Sequence, residues 1–592
     1  MESIIFVKKS PENELTSRIS MEIELPEVVI NLLINRGYKS KEEIVTFLRP
    51  DFKNLFDPFL MHDMEKAADR VLSAIAEKEK ITLYGDYDVD GVSGVSLLYR
   101  ILNGLGGDAS FYIPHRIEEG YGLSEKGVRY AHEIGTNLLI TIDCGITDFE
   151  EIELANSLGM DVVVVDHHET TETLPHSFAT LNPKKNIDNY PFKELSGVGV
   201  AFKLAQALCE KKGLSEDVLE EHLDLVALGT MADVVPLVSE NRIFAKLGME
   251  RIEQSRKQGI ISLLEVAGLK GKRLNTYDVT YGLAPRLNAK GRMSHARPSV
   301  EILITEDKDN ARKLAESLNA ENKERQEIEK KTLEDAISVI KKEIDLNKEK
   351  VIVLAQEDWH EGVIGICASK IVEKYYRPVV LIALKGEIGK GSARSIPPLH
   401  LYNALKKCGE YLVSFGGHAQ AAGLNVNRNK IEEFRAAMNE TVENLLNEDD
   451  LKPKVVADCH IDFEAIDEKL VEILQYFAPY GPSNPTPLFL TEGVDAVGSP
   501  SIVGNGHLKI KLRQKRKVMT CIGFGLGDFL SKIEIANPNL KILFTIDRDE
   551  FMGKKKINLK IREIKLLGAS GFEPPTSPTP KERANLAAPR PE

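Results

Sequence analysis

The sequence holds a single tryptophan and only six cysteines, no two of them in a C-x-x-C spacing. Cys144, Cys209, Cys367, Cys408, Cys459 and Cys521 stand far apart, which excludes a zinc ribbon or a dithiol redox motif and leaves buried free thiols as the expectation. No apolar run reaches the roughly 18 residues that a membrane span requires, so no membrane association is expected. The opening MESIIFVKKSPENELTS lacks the basic start, long apolar stretch and small-residue cleavage site of a secretory signal, and a cytoplasmic location is expected. An excess of positive charge is missing as well: the net charge of −13 excludes a uniformly basic nucleic-acid-binding coat. The exception is local. From Asn505 to Leu567 fifteen Lys/Arg stand against six Asp/Glu, concentrated in KIKLRQKRK and KKKINLKIREIK. Such a segment can meet phosphates by releasing counterions, or it can be a solvated basic strand face; composition does not separate the two.

What is present is length enough for roughly three or four domains. After an N-terminal segment (1–70), short β-rich runs alternate with helix-like stretches: ITLYG (81–85), NLLITI (137–142), DVVVV (161–165) and a helix-like DLVALGTMA (224–232). Buried parallel strands joined by crossover helices read this way, and an α/β domain with a parallel sheet is expected over 71–307. Residues 308–345 have alternating charges with neither Pro nor Gly and predict a long helix bridging two domains, whose polar middle from Asn319 to Lys331 escapes full burial. A smaller α/β domain follows (346–446), then an acidic linker. Five short strands, several alternating at period two, predict an OB-type β-barrel over 452–567, a common platform for single strands. The Pro- and Ala-rich tail (568–592) predicts disorder.

Each of the four runs in the first α/β domain is followed at once by aspartate, and in parallel sheets ligands bind beyond the carboxyl ends of strands. The first is followed by GDYDVDG, with Asp86, Asp88 and Asp90 spaced by two. An EF-hand loop starts this way too, but its twelfth position would be Leu97 instead of glutamate, and the preceding run is strand-like. The companions are Asp143 in TIDCGIT, Asp166-His167-His168 in VVVVDHHET, and Asp233 in GTMADVVPL. Carboxylates mixed with imidazole, oxygen predominating, suit Mn²⁺ or Mg²⁺. An aspartate bridging two such ions would hold them about 4 Å apart, an arrangement suited to phosphoester hydrolysis. The Gly-x-Gly pairs at Gly197–Gly199 and Gly523–Gly525 lack the rest of a dinucleotide fingerprint.

DHH at 166–168 with D-x-D at 88–90, Asp143 and Asp233 resembles the DHH phosphoesterase superfamily. GDYDVDG, the PHR..EGYGL run (114–123), APRLNAKGRM (284–293), GSAR (391–394) and SFGGHAQAAGL (414–424) resemble its RecJ branch, in that family's domain order from about residue 60 to 565. The resemblance implies a 5′ to 3′ exonuclease acting on single-stranded DNA in repair and recombination, with two Mn²⁺ or Mg²⁺ ions. It implies that Asp88, Asp90, Asp143, His167 and Asp233 hold the metals, with Asp86 as a further ligand, and that His168, Asp166 and Asp86 serve catalysis. Tyr84 stands where some members of the superfamily have a metal-binding histidine. Arg116, Arg286, Asn288, Arg292, Ser392, Arg394 and His418 are the expected substrate-binding residues, because arginine forks bind phosphate oxygens and glycine lets backbone N–H groups approach them. Single-stranded DNA, a single-strand-binding protein and a helicase are the expected partners. Two alternatives remain open at this stage: a DHH enzyme hydrolysing oligonucleotides, cyclic dinucleotides or pyrophosphate, which would not need the basic barrel, and a non-catalytic DNA-binding scaffold, in which the acidic ligands should have decayed.

Overall fold

The computed structural model describes residues 4–8, 13–116, 118–293, 295–536, 539–551 and 554–566. The tail at 568–592, expected to be disordered, lies outside the described residues. The described residues divide into two units, one spanning Pro50–Leu451 and the other combining those up to Arg49 with those from Lys452 to Leu566.

The first unit begins with strands β1 (Lys80–Gly85), β2 (Asp108–Tyr112), β3 (Leu138–Ile142), β4 (Asp161–Val165) and β5 (Ala179–Leu181). All pairings are parallel, in the order β2-β1-β3-β4-β5. Every residue of β3 is buried, which is why LLITI is apolar but for Thr141: helices cover both faces. Strand order reverses between β1 and β3, the point where the carboxyl ends open a crevice. Helix α1 (Val89–Gly104) packs on α2 (Gly197–Lys211) and α3 (Leu223–Ala232). Glycines permit that closeness, since a Cβ on Gly229 would lie 2.7 Å from Val198 Cγ1 and 2.8 Å from Asp90 Oδ1.

Helix α4 (Ala284–Met293) leads toward the long helix α5 (Lys308–Glu343). Ala315 and Leu318 of α5 join the core of the parallel-sheet domain, while Ala336 and Ile340 join the next domain's core; α5 thus bridges the two, as its sequence predicts. Its polar middle escapes full burial, as expected, but Asn322, Arg325 and Glu329 form a buried stripe within it, with Thr332 continuing the stripe. The stripe satisfies itself: Arg325 bonds Asn322 and Glu329, and Lys370 pairs with Glu329, so burial leaves no lone charge.

The smaller domain contains β6 (Ile352–Gln356), α6 (Glu361–Tyr375), β7 (Val379–Lys385), β8 (Ile388–Arg394), β9 (Leu412–Gly417), β10 (Ala421–Asn427) and α7 (Ile431–Leu445). Its sheet runs β9-β10-β8-β7-β6, parallel only between β6 and β7.

The second unit is built on β11 (Phe489–Val503), β12 (His507–Gln514), β13 (Lys517–Gly523), β14 (Leu540–Phe551) and β15 (Lys554–Leu566). They pair β11-β12-β13-β15-β14, and β14 returns to β11, which closes the barrel. On β12 Leu508, Ile510 and Leu512 point inward and Lys509, Lys511 and Arg513 outward, so the basic run is the wet face of an amphipathic strand. Residues 1–49 share this unit. Strand Ile4–Val7 pairs in parallel with Lys454–Ala457, and Val29, Ile30, Leu32 and Leu33 of helix Glu27–Asn35 share a core with barrel residues Phe489, Leu508 and Phe544.

Candidate metal centre

The hydrogen-bond ladder of the parallel sheet runs one residue beyond each strand. Asp86 N donates to Ile142 O (3.2 Å), Asp143 N to Val165 O (2.9 Å) and Asp166 N to Leu181 O (2.9 Å). Three buried aspartates therefore stand side by side along the carboxyl edge. Asp88 caps α1, its Oδ1 accepting from Asp90 N and Gly91 N. Asp90 is fixed by the N-terminus of α2, accepting from Gly197 N (2.6 Å) and Val198 N (2.9 Å). Asp233 follows the last residue of α3. Asp143 adopts φ +63°, a left-handed conformation that aspartate tolerates at some cost and that recurs at functional sites. Tyr121 Oη donates to the Asp143 carbonyl at 3.0 Å.

His167 Nε2 stands 3.1 Å from Asp143 Oδ1, 3.7 Å from Asp233 Oδ2 and 3.9 Å from Asp90 Oδ2. His168 Nδ1 is 2.7 Å from Asp166 Oδ1 and 3.9 Å from Asp143 Oδ1. Ligand atoms gather within 4.8 Å of one another in three overlapping groups: Asp86, Asp88 and Asp143; Asp143, His167 and His168; Asp90, His167 and Asp233. Asp143 Oδ1 and Asp86 Oδ1 are buried without a hydrogen bond. Buried carboxylate oxygens are rarely left orphaned, and here both face other ligand atoms across the gap a cation would fill.

The charges agree. Burial, then the neighbouring carboxylates, push Asp86 and Asp143 well above the ordinary carboxylate range. Burial and then Asp88 raise Asp90 to about 7. Burial would raise Asp166 too, but the charge and hydrogen bond of His168 outweigh it and hold Asp166 below its usual value. His168 is pulled down by burial yet lifted to about 9 by Asp166. Burial and the charge of His168 depress His167 far below the usual imidazole value, which leaves it neutral, the form that ligates metals. Three mutually repelling buried carboxylates beside a neutral imidazole fit a pair of divalent cations.

Gly91 keeps the aspartate turn closed, since a Cβ there would lie 2.6 Å from Asp86 O and 2.7 Å from Asp86 N. Gly91→Ala is expected to destabilise the protein by about 1–3 kcal/mol through overpacking and to lack the rise in melting temperature expected of the parent in Mn²⁺. An undiminished Mn²⁺ response would contradict this geometry.

A cluster of arginines lies beside the carboxylates. Burial, then the charges of Arg116, Arg325 and Arg394, lower Arg292 to about 9, with Asp88 acting the other way. The Arg116 guanidinium lies 5.0 Å over the ring of Tyr87. On β8, Arg394 Nη1 is 3.3 Å from Ser392 Oγ. Gly365 of α6 faces that pair, where a Cβ would lie 2.9 Å from Ser392 Oγ and 3.2 Å from Arg394 Nη2. Gly362 similarly lets α6 approach the Arg292 carbonyl, with a Cβ position 2.7 Å away. The two α/β domains of the first unit thus meet with Arg116, Arg292, Arg325, Ser392 and Arg394 at their junction. Arg286 sits further back on α4, bonded to Asn319 Oδ1 (3.0 Å) and to Gly282 O, with Asn288 half-buried two residues on. His418 is exposed in the turn between β9 and β10, its N donating to Ala421 O. Arg325 joins the cluster from α5, and its spacing of three and four from Asn322 and Glu329 is the signal the sequence carries for it.

The DHH family N-terminal domain matches residues 80–230, the DHHA1 domain 348–444 and the RecJ OB domain 457–563. The chain is 37% identical over 557 residues to the single-stranded-DNA-specific exonuclease RecJ of Bacillus subtilis, covering 93% of this chain and 70% of the relative. Its fold is similar to that of RecJ from Thermus thermophilus in complex with Mn²⁺, with a TM-score of 0.83 at 28% identity, over 96% of this chain and 81% of that one. The Mg²⁺ complex of the same protein gives 0.77 at 27% identity, over 96% and 80%. The carboxylate and histidine edge, the arginine junction and the closed barrel therefore occur in a chain that belongs to the RecJ family of single-stranded-DNA-specific exonucleases.

Proposed function

We propose that the protein degrades single-stranded DNA from its 5′ end, releasing 5′-mononucleotides by two-metal phosphodiester hydrolysis. The observation that carries this reading is Asp143: it belongs both to the group with Asp86 and Asp88 and to the group with His167 and His168, and its Oδ1 is buried without a hydrogen bond. Asp86, Asp88 and Asp143 would hold one ion, and Asp143, His167, Asp233 and Asp90 the other. Mn²⁺ or Mg²⁺ bound there would activate the attacking water and stabilise the leaving oxygen.

The protein's own groups do the rest. Asp166 orients His168 toward Asp143, where the imidazole can donate to a phosphate oxygen. Arg394, Ser392 and Arg292, with Arg116 across the junction, would grip the terminal 5′-phosphate through charge-assisted bonds, and His418 would approach from the glycine turn. A phosphate held there presents the next phosphodiester to the carboxylates and so sets polarity. Arg286 and Asn288 would meet the backbone behind it. The outward Lys509, Lys511 and Arg513 face supplies sequence-independent attraction for a single strand, which a small-molecule phosphoesterase would not need.

Such an enzyme acts in DNA repair and recombination in the cytoplasm, with a helicase to open duplex and a single-strand-binding protein on its substrate as partners. No described helix is long and apolar enough to cross a membrane. The test is digestion of an oligonucleotide labelled in turn at each end, in Mn²⁺, beside a duplex control. Immediate release of labelled mononucleotide from the 5′ end alone, with duplex spared, supports the reading. Intact DNA alongside hydrolysed dinucleotides or pyrophosphate would transfer the activity to small substrates.

A further inference from the structure

Tyr277 and Tyr281 are among the most exposed large side chains described, at 69% and 64%, and their rings stack on each other with centroids 4.7 Å apart and planes 32° from parallel. Leaving two aromatic faces in water forgoes the burial that normally stabilises such side chains. They sit on and just before a six-residue π-helical segment, Asp278–Leu283, that runs straight into α4. Mid-helix π-segments occur mostly as local bulges and often mark functional sites. Here the segment is tied to the metal centre, because Thr280 Oγ1 donates to Met231 O two residues before Asp233. It also packs on Leu269, which lies 3.0 Å from where a Gly282 Cβ would be, and Leu269 opens the basic loop that carries exposed Lys270, Lys272 and Arg273.

We propose that Tyr277 and Tyr281, with the exposed Lys272 and Arg273 five and four residues before Tyr277, form a stacking subsite for bases of the single strand whose 5′ end lies at the arginine junction. The inference rests on the nuclease reading above and adds to it where downstream nucleotides go. Tyr281 precedes Arg292 by eleven residues, about 16 Å along a helix at about 1.5 Å per residue. At about 3.4 Å per stacked nucleotide, that distance is covered by four or five nucleotides. Basic side chains beside aromatic faces are the pairing that binds single strands regardless of sequence. Single-stranded DNA shorter than about four nucleotides cannot reach the pair.

The test is the dependence of KM on length for 5′-phosphorylated oligothymidylates of two to ten nucleotides in Mn²⁺, in the parent, Tyr277→Ala/Tyr281→Ala and Tyr277→Phe/Tyr281→Phe. The parent should gain affinity stepwise at about five nucleotides. The alanine pair should lose about tenfold or more for long substrates while hydrolysing the dinucleotide at the parent rate, and the phenylalanine pair should behave as the parent. A 2-aminopurine placed at the fifth nucleotide should be quenched in the parent and the phenylalanine pair and not in the alanine pair. Unchanged length dependence in the alanine pair, an equal loss in the phenylalanine pair, or an equal loss on the dinucleotide would each overturn the subsite while leaving the nuclease reading intact. A parent that cleaves no DNA of any length would overturn both.

Discussion

Asp143→Asn is expected to lower exonuclease turnover by on the order of 10³-fold, about 4 kcal/mol of barrier at about 1.36 kcal/mol per tenfold, and at the same time to raise the melting temperature of the metal-free protein. Asparagine tolerates the φ of +63° as well as aspartate does, so the substitution removes charge without adding backbone strain. Two effects with opposite signs follow from one atom. With cations present, Asp143 would be among the residues that hold them, since it belongs to two of the three ligand groups. Without them, it is a buried charge repelled by Asp90, Asp88, Asp233 and Asp86, in that order after burial itself. The pH dependence has a fixed sign. A carboxyl whose folded pKa lies above its unfolded value contributes most below the unfolded value, and that contribution is lost as pH rises through the folded one. Asp90 is pushed up to about 7 and Asp143 well above the ordinary range, so metal-free protein should lose stability from about pH 4 upward, and less so in the variant, which lacks the Asp143 carboxyl. Turnover on single-stranded DNA in Mn²⁺ measures the first effect, and melting curves in EDTA across this range measure the second. Full turnover in the variant would remove Asp143 from the chemistry; a metal-free variant less stable than the parent would show that the carboxylates do not repel.

Arg394→Ala is expected to raise KM for 5′-phosphorylated single strands by on the order of 10²-fold, since a bond to a charged group contributes about 1.5–3 kcal/mol and a guanidinium can make two. Strands with a 5′-hydroxyl should change far less, because they lack the phosphate that Arg394 would hold. Arg394→Lys should not restore the preference, a point charge being no substitute for the planar fork beside Ser392. Steady-state kinetics on the two kinds of end decide it. Equal losses on both would mean that Arg394 supports the β8 edge in place of reading the terminus.

Local pattern carried much of this in the sequence. ITLYG, NLLITI and DVVVV are rich in apolar residues because both faces of the parallel sheet are covered, and the aspartate after each is readable as a strand-end residue. The five barrel strands are legible as short β-rich runs, several of them alternating, most clearly HLKIKL. What stayed hidden depends on contacts between distant segments. Nothing in Ile4–Val7 announces Lys454–Ala457 as its partner, and the buried Asn322–Arg325–Glu329 stripe looks solvated until Lys370 arrives from another helix. The convergence of Arg325 with Arg116, Arg292 and Arg394 was illegible for the same reason: these residues come from α4, α5, β8 and the loop after β2. The left-handed Asp143 gave no signal either, because glycine and asparagine usually announce that conformation and aspartate in TIDCGIT does not.

The most direct test of the two-ion centre is anomalous scattering from crystals soaked in Mn²⁺. Two peaks about 3.5–4 Å apart are expected, one beside Asp86 and Asp88, the other beside His167 and Asp233, with the Asp143 carboxylate between them. A single peak, or two peaks that do not share Asp143, would contradict the account.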